Sequence, residues 1–253
     1  MIKLIISGCN GRMGQVVTRL AKADGGFEIV AGFDQNTAKL SDYPVYSHPL
    51  EYAGSADVVV DFSSPAALDS LLSWCKNKKV PVILCSTGYS PEQLDAIKAA
   101  SAEMPVFKSA NMSLGINVLT TLIKRAAEIM GETFDIEIVE KHHNQKKDAP
   151  SGTALMLADA VKEGLDYEPE YVYDRSNVRQ PRDKKEIGIS AVRAGTIPGE
   201  HTVIFAGTDE VIEFKHTAYS REIFAAGAVK AAKFMAGISA PGMYDMSDVL
   251  KNI

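Results

Sequence analysis

Strands and helices alternate along the first 113 residues, and this alternation constrains the fold more than any other feature of the sequence. Five apolar runs have strand character, and helical segments separate them: 2–6, 28–33, 56–61, 80–84 and 105–108. This order is typical of an α/β fold with a doubly wound parallel sheet, of the Rossmann type. Ligands of such sheets bind beyond the carboxyl ends of the strands. We therefore expect the loops after these strands to surround one cleft: 8–14, 34, 61–64, 85–88 and 109–113.

A glycine loop follows the first strand and precedes the first helix. Its glycines are Gly8, Gly11 and Gly14, in the spacing GxxGxxG, which is a variant of the dinucleotide-binding fingerprint. Gly8 permits a tight turn, Gly11 lets the backbone approach a pyrophosphate, and Gly14 allows the helix to pack closely on the strand. Arg12 is a candidate phosphate contact. The loop predicts a dinucleotide cofactor.

Asp34 ends the second strand, about twenty residues beyond the last glycine, where the fingerprint has its ribose-binding acid. A carboxylate there accepts hydrogen bonds from the ribose of NAD and repels the 2′-phosphate of NADP. Gln35 and Asn36 supply no arginine for that phosphate, so we predict that NADH is preferred. Lys39 leaves some use of NADPH open. The alternative is an ordinary surface aspartate in a turn.

Composition narrows the functional classes. The chain has 253 residues with a net charge of −5 and no basic block, which argues against nucleic-acid binding. No apolar run approaches membrane length, and the first residues are too short for a signal peptide, so no membrane association is expected. The irregular spacing of Cys9, Cys75 and Cys85 does not indicate a disulfide framework. A reducing cytoplasm is therefore the expected location.

A second polar cluster spans residues 140–153, between a predicted strand at 134–139 and a predicted helix at 154–161 that Gly164 can end. The cluster therefore lies on a loop at a helix N-terminus. Free backbone N–H groups and the helix dipole make such a position a natural anion site.

The side chains of this cluster favour a small anionic substrate, a carboxylate, with proton transfer beside it. They comprise two imidazoles that titrate near neutral pH, two lysines and a helix start with two hydroxyls around a glycine: His142, His143, Lys146, Lys147, Ser151, Gly152 and Thr153. A metal site is not predicted, because adjacent strand residues such as His142 and His143 point to opposite faces. Each residue alone also fits an ordinary loop or helix cap.

The second half of the chain predicts a smaller α+β domain. Ser113 caps a long helix whose apolar side is expected to carry Ile116, Leu119, Leu122, Ile123, Ala126, Ala127 and Met130, and which Gly131 can end. The polar segment 165–186 is interpreted as a long mobile or interface loop. Strand-like runs at 187–194, 201–206 and 210–217 are expected to join the 134–141 strand in one largely antiparallel sheet. A closing helix at 223–235 returns to the first domain.

Four stretches resemble the dihydrodipicolinate reductase family: 8–14, 140–153, 193–195 with 199–201, and 244–250. The resemblance covers nearly the whole chain and is most specific at 140–153. It implies a dinucleotide-binding domain, 1–113 with 222–253, and a substrate-binding and oligomerisation domain, 114–221, that builds a homotetramer. It implies that NADH or NADPH reduces 4-hydroxy-tetrahydrodipicolinate, a small dicarboxylate, to tetrahydrodipicolinate with loss of water, in lysine and diaminopimelate biosynthesis.

The resemblance also implies roles for individual residues. His142 is the general acid/base, Lys146 the proton donor and His143 a substrate contact, while Gly152 and Thr153, next to Ser151, hold a substrate carboxylate. The expected cofactor contacts come from four loops: Gly8, Cys9, Asn10, Gly11, Arg12, Met13, Asp34, Cys85, Ser86, Thr87, Ser109, Ala110, Asn111 and Met112.

Two other interpretations stay open at this point. One is a homoserine or aspartate dehydrogenase with the same two-domain plan, which turnover of each substrate would separate. The other is a non-catalytic dinucleotide sensor, which has no need to keep His142, Lys146 and the anion-binding helix start together.

Overall fold

The computed structural model describes residues 1–252, and the chain divides into two compact units. Unit 1 comprises Met1–Ser113 with Glu222–Ile253, and unit 2 comprises Leu114–Arg221. Each unit has its own sheet and its own apolar core.

Unit 1 contains seven strands and five α-helices: β1 (Ile2–Ser7), α1 (Arg12–Asp24), β2 (Phe27–Phe33), β3 (Val45–Tyr46), β4 (Val58–Asp61), α2 (Leu68–Lys78), β5 (Val82–Leu84), α3 (Pro91–Ser101), β6 (Pro105–Lys108), α6 (Glu222–Met235), β12 (Gly242–Tyr244) and α7 (Met246–Leu250). The strands form one parallel sheet in the order β12-β6-β5-β4-β1-β2-β3. The predicted Rossmann-type fold is confirmed. The edge strands β3 and β12 were not predicted, because two or three residues are too few to show a periodic pattern.

The core of unit 1 explains why its strands are apolar throughout. Ile5, Val59, Val82 and Val106 belong to a buried cluster with residues of α2 and α3, including Trp74. Neighbouring strand residues point to the opposite face, where α6 contacts β4, β5 and β6 and also packs against α1. A sheet covered by helices on both faces needs apolar residues at nearly every strand position.

Unit 2 contains two helices and five strands: α4 (Leu114–Met130), β7 (Asp135–His142), α5 (Gly152–Lys162), β8 (Glu170–Val172), β9 (Glu186–Arg193), β10 (Gly199–Ala206) and β11 (Val211–Ala218). The sheet order is β11-β10-β7-β9-β8. The prediction of a largely antiparallel sheet is wrong. β10 is antiparallel to β7 and β11, but β9 is parallel to β7 and β8. The reason is that α5 crosses over between β7 and β9 and packs against the sheet, which returns the chain in the same direction.

One face of the unit 2 sheet packs under α4 and α5. Ile136 and Ile138 of β7 lie on this inner face and join Val203 and Phe205 of β10 in the core. The expectation that Leu122 lies on the buried side of α4 is wrong, since this residue is 51% exposed. It lies at the edge of the buried stripe, next to the fully buried Ile123.

The segment 165–186 is not a simple loop. It contains β8, which pairs with β9, and two arginines that bind carboxylates of neighbouring strands. Arg175 lies 2.9 Å from a carboxylate oxygen of Glu137 and 3.0 Å from one of Glu186. Arg182 lies 2.8 Å from a carboxylate oxygen of Asp135. These ion pairs attach the segment to the sheet.

Across residues 1–252, none of the helices combines the length and the apolar character that a membrane crossing requires.

Candidate active site

A cavity of about 590 Å³ lies within unit 1, at the carboxyl ends of β1, β2 and β4. Its lining comes from the three loops that follow these strands: Ser7, Gly8, Gly11, Phe33, Asp34, Gln35, Phe62, Ser63 and Ser64, joined by His48, Pro49 and residues of α2. The sequence predicted this convergence because carboxyl ends of parallel strands meet at one edge of the sheet. His48 was not predicted, since it lies in an irregular stretch without a motif.

Gly8 and Gly14 of the loop leave no room for side chains. Gly8 has φ +74°, and a Cβ atom there would lie 2.7 Å from the backbone of Phe62. A Cβ at Gly14 would lie 2.1 Å from the carbonyl oxygen of Gly8. Gly11 occupies the N-cap of α1, and no side chain caps that helix. The first N–H groups of α1 are therefore available to a phosphate, which fits the predicted dinucleotide.

Asp34 is held against the glycine loop. One carboxylate oxygen accepts a hydrogen bond from the backbone N–H of Asn10 at 2.9 Å, and the other accepts one from the N–H of Asn36 at 3.0 Å. The Asn10 amide in turn donates to the carbonyl oxygens of Asn36 and Ala38 at 2.6 and 2.7 Å. The 34–38 loop and the glycine loop thus form one hydrogen-bonded assembly beside the cavity.

Three further residues of the glycine loop, Cys9, Arg12 and Met13, do not line this cavity. Cys9 is buried, its sulfur lies next to Gly32, and burial raises its pKa to about 11 with a further contribution from Asp34. The Cys9 thiol is therefore packed inside unit 1. Arg12 is exposed and lines a neighbouring hollow with Gln15. Met13 is half-buried.

The loop after β5 joins the loop after β4. The hydroxyl of Ser86 donates to the Asp61 carboxylate at 2.9 Å, and the N–H of Cys85 donates to the Asp61 carbonyl oxygen at 2.9 Å. Burial, followed by the charge of Asp61, raises the pKa of the Cys85 thiol. Thr87 is exposed at the end of this turn.

The loop after β6 is a compact turn. The hydroxyl of Ser109 donates to the carbonyl oxygen of Asn111 at 3.0 Å, and the Asn111 side chain accepts from the N–H of Ser113 at 2.8 Å. Met112 is buried against Gly227, where a Cβ would collide with the Met112 carbonyl oxygen. Ala110 is exposed. These residues lie at the same sheet edge as the glycine loop.

Unit 2 holds a buried carboxylate–imidazole pair at the end of β7. Glu140 is completely buried and His142 is 9% exposed. The Nδ1 atom of His142 lies 2.6 Å from Oε2 of Glu140. The two-residue period of the strand places both side chains on the inner face, next to Ile138.

Arg193, the last residue of β9, neutralises Glu140. Its guanidinium donates to both carboxylate oxygens at 2.7 Å and to the carbonyl oxygen of Asp148. Burial by itself raises the pKa of Glu140, but hydrogen bonds from Arg193, His142 and the Ser151 backbone outweigh it and lower the pKa. Glu140 is therefore ionised at neutral pH.

Ser151 connects this pair to the start of α5. Its backbone N–H donates to Oε1 of Glu140 at 2.9 Å, and its hydroxyl accepts from the N–H of Ala154 at 3.2 Å as the helix cap. The same hydroxyl lies 2.9 Å from Nε2 of His201 on β10. Because Ser151 is 2% exposed, its hydroxyl serves this network within the protein.

His201 is a buried, neutral imidazole. Burial, followed by the charge of the neighbouring His142, lowers its pKa to about 4. The two rings lie edge to face with centroids 5.1 Å apart.

The first turn of α5 is open on the side of the predicted anion site. Gly152 is exposed, and a Cβ built there meets no atom within 4 Å. Thr153 follows and is half-buried. Gly152 therefore presents no side chain to an anion that approaches the start of this helix.

The lysines and the second histidine lie on the loop between β7 and α5. Lys146 is half-buried and its ammonium group lies 2.9 Å from Asp148. Lys147 is exposed, and His143 is half-buried. The carbonyl oxygen of His143 accepts a hydrogen bond from the N–H of Lys146 at 3.1 Å, which closes a tight turn.

Sequence reasoning did not single out Glu140, Arg193 and His201 as site residues. Glu140 could have been found from its i, i+2 spacing with His142 on a predicted strand, because this spacing places both side chains on one face. Arg193 and His201 lie more than fifty residues away in sequence, so only the pairing of β9 and β10 with β7 brings them to the site.

Within residues 1–252, no three His, Cys, Asp or Glu side chains are arranged to hold a metal ion.

Comparison with known proteins identifies the family. The family model described as "Dihydrodipicolinate reductase, N-terminus" matches residues 2–112, and the model described as "Dihydrodipicolinate reductase, C-terminus" matches residues 115–250. The chain belongs to the dihydrodipicolinate reductase family. This assignment confirms the resemblance seen in the sequence, and with it a reductase that uses a nicotinamide dinucleotide.

Full-length relatives carry the same family name. The chain is 57% identical to the 4-hydroxy-tetrahydrodipicolinate reductase of Caldanaerobacter subterraneus subsp. tengcongensis, with 99% of each chain covered. It is 50% identical to the enzyme of that name from Clostridium tetani, covering 100% of this chain and 98% of the relative. These matches favour the reductase over the homoserine or aspartate dehydrogenase alternative.

A solved member of the family has the same fold. The dipicolinate-bound dihydrodipicolinate reductase from Paenisporosarcina sp. TG-14 superposes with a TM-score of 0.76 at 22% identity, covering 97% of each chain.

Proposed function

We propose that this dihydrodipicolinate reductase family member reduces 4-hydroxy-tetrahydrodipicolinate to tetrahydrodipicolinate with a nicotinamide dinucleotide and loss of water, in lysine and diaminopimelate biosynthesis. One observation carries the site assignment: the buried Glu140–His142 pair is hydrogen-bonded to the start of α5, where Gly152 leaves the helix N-terminus open. An anion site beside a titratable imidazole suits a dicarboxylate that needs proton transfer.

Unit 1 is the proposed dinucleotide-binding domain. The crowded Gly8 and Gly14, the uncapped start of α1 and the adjoining cavity support this role. When bound, the dinucleotide supplies the hydride that replaces the departing hydroxyl group. The residues around the cavity orient this cofactor, and the glycines of the loop keep its binding path free of side chains.

NADH is the proposed preferred donor, with NADPH also accepted. Asp34 places a negative charge beside the cavity, and the adjoining Gln35 offers no cation to a 2′-phosphate. Asp34→Ala should weaken NADH binding about 10–100-fold, the effect of losing a charged hydrogen bond, and should affect NADPH much less. Fluorescence titrations with both cofactors test this. Asp42→Ala, which removes an exposed carboxylate of the same unit, is the control. Equal losses for NADH and NADPH would contradict the ribose role of Asp34.

Unit 2 is the proposed substrate-binding domain. Gly152 and Thr153, after the Ser151 cap, bind one substrate carboxylate through backbone N–H groups, and His143 contacts the substrate from the preceding loop. His142 is the proposed general acid/base and Lys146 the proton donor during loss of water. The ammonium group of Lys146 lies 2.9 Å from the Asp148 carboxylate, on the loop that precedes α5.

Unit 2 is also proposed to build a homotetramer. The sheet face opposite α4 and α5 carries no helix of its own unit and includes the exposed Val192 and Val211. Light scattering should give a mass about four times the 27.3 kDa of one chain, and a mass of one chain would refute the assembly.

A cytoplasmic location is proposed from the three free cysteines.

The decisive experiment follows NADH absorbance while 4-hydroxy-tetrahydrodipicolinate is generated enzymatically in the same cuvette. We expect NADH consumption that depends on the substrate generator and yields tetrahydrodipicolinate. NADH consumption with aspartate semialdehyde alone, or with oxaloacetate and ammonia, would instead point to a homoserine or aspartate dehydrogenase. No consumption under any of these conditions would refute the proposal.

The residue roles are tested in the same assay. Lys146→Ala should lower turnover by about 10²–10⁴-fold, the usual worth of a placed proton donor, while NADH binding stays intact. Lys124→Ala, which removes an exposed lysine of the same unit, is the matched control. Unchanged turnover in Lys146→Ala would remove this lysine from the mechanism.

A further inference from the structure

The carboxylate of Glu140 has a partner for each of its lone pairs. Oε1 accepts from the N–H of Ser151 and from Arg193, and Oε2 accepts from Arg193 and faces Nδ1 of His142. An ionised carboxylate offers about four acceptor sites and no donor. All four are used, so the position of Glu140 is fixed from three directions.

This geometry determines which nitrogen of His142 carries the proton. A carboxylate can only accept, so the nitrogen 2.6 Å from Oε2 must be protonated. In the neutral imidazole only one nitrogen is protonated, which leaves Nε2 as the basic atom. We propose that Glu140 is a positioning residue that holds neutral His142 as its Nδ1–H tautomer and so assigns proton transfer to Nε2. This inference rests on the proposed acid/base role of His142.

The surroundings of Nε2 support this assignment. Gly199 is the first residue of β10, and a Cβ atom there would lie 3.1 Å from Nε2. Because Gly199 has no side chain, Nε2 is spared the close contact that a Cβ atom would make at the start of β10. Gly199 has no left-handed φ, so the space needed beside Nε2 is a sufficient reason for a glycine there.

The same carboxylate also aligns the anion site. Oε1 holds the N–H of Ser151, which is the N-cap of α5 and immediately precedes Gly152. Through its two oxygens Glu140 therefore fixes both the imidazole and the helix start relative to each other. A substrate carboxylate bound at α5 is thereby placed at a set distance from Nε2.

The direct test reads the tautomer by NMR. Protein labelled with ¹⁵N-histidine is recorded in a two-bond ¹H–¹⁵N correlation across a pH series, and His142→Gln identifies the His142 signals among the five histidines. In the neutral form we expect a protonated Nδ1 and an unprotonated Nε2. A neutral His142 protonated at Nε2 in the wild-type protein would overturn the proposal whatever any variant does.

Glu140→Gln tests the consequence for catalysis. The amide cannot accept at all four sites, so the Nδ1–H tautomer loses its support. Turnover should fall about 10²–10⁴-fold, as when the orienting carboxylate of a catalytic histidine is replaced by an amide, and the tautomer signal should change. The KM for substrate should stay within about threefold, because the amide oxygen can still accept from the N–H of Ser151 at the helix start. Glu200→Gln, on the adjacent strand and paired with Lys141 and Lys215, should leave the His142 signals in place. A folded Glu140→Gln protein with wild-type turnover would contradict the positioning role.

Gly199→Ala tests the role of Nε2 by steric crowding. The new methyl group crowds Nε2 but leaves the hydrogen bond between His142 and Glu140 in place. We expect the Nδ1–H tautomer to persist while turnover falls about tenfold or more, since small misplacements at a reacting atom are costly. Wild-type turnover in this variant would show that Nε2 is not the reacting nitrogen. If wild-type protein has the Nδ1–H tautomer but consumes no NADH, the proposed function fails and the tautomer assignment stands.

Discussion

The two units build their sites from different materials. In unit 1 the site is made of backbone: Gly8 and Gly14 remove side chains at a helix start, and the strands around them are uniformly apolar. In unit 2 the corresponding helix start, at Ser151, is tied to a buried Glu140 with an arginine and a histidine. The first site depends on space and the second on charge.

This difference determines what each site tolerates. A backbone site fails when a methyl group fills the space that a ligand or a neighbouring carbonyl needs. A charged network fails when one member is removed and its partner stays buried without compensation. The following variants separate the two behaviours.

The largest effect is expected in unit 1. In Gly14→Ala the new Cβ would lie 2.1 Å from the carbonyl oxygen of Gly8, so the glycine loop must move. We expect a loss of about 4 kcal/mol or more in the free energy of unfolding, at the upper end of overpacking effects, and loss of NADH binding. Urea denaturation and fluorescence titration measure the two.

The control for this variant is Gly25→Ala, at the C-cap of the same helix. Gly25 has φ +72° but no neighbour within 4 Å. Gly25→Ala should lower the free energy of unfolding only by the strain of a left-handed alanine, about 1–2 kcal/mol. Similar losses in both variants would mean that space at Gly14 is not the limiting factor.

The next effect concerns charge in unit 2. Arg193→Ala leaves Glu140 fully buried without its guanidinium partner, which should lower the free energy of unfolding by about 3 kcal/mol or more. Arg175→Ala is the control, because its side chain is 35% exposed and its pairs with Glu137 and Glu186 are screened by solvent. That variant should lose about 1 kcal/mol or less. Losses of equal size would contradict the special role of burial at Glu140.

A pH effect of intermediate size is expected from His201. Its folded pKa of about 4 lies below the ordinary 6.5, so the unfolded chain binds the proton more readily. The contribution of His201 to the free energy of unfolding is therefore present above pH 6.5. About 2–3 kcal/mol of it is lost as the pH falls towards 4. Urea denaturation at pH 7 and pH 4 should show this extra loss in the wild type relative to His201→Asn. Parallel pH dependence in the two proteins would contradict the assignment.

The smallest effect on stability is expected at Gly152. Gly152→Ala meets no atom within 4 Å and lies in the first turn of α5, so the free energy of unfolding should change by about 1 kcal/mol or less. The methyl group should nevertheless obstruct an anion at the helix start and raise the KM for substrate about tenfold. Unchanged KM would remove Gly152 from the substrate site. The contrast with Gly14→Ala separates a glycine required by the fold from one required by the ligand.

Much of unit 1 could be predicted from the sequence, because the relevant forces act locally. Each buried strand is a continuous apolar run, the helices between them have recognisable caps such as Ser90 with Gln93, and the glycine loop lies next to its helix in the chain. The position of Asp34 after the second strand followed from the same short-range order. Parallel strands then bring these loops to one edge without further information.

The details of unit 2 required the tertiary structure. The parallel pairing of β7 with β9, the attachment of segment 165–186 by Arg175, and the exposure of Leu122 all depend on which surfaces meet. The same is true of Arg193, which reaches Glu140 across fifty-three residues of chain. The sequence by itself determined that a helix start and two imidazoles lie near each other. Only the folded sheet decided which carboxylate holds His142, because a buried charge is stabilised by whichever partners the strand pairing brings to it.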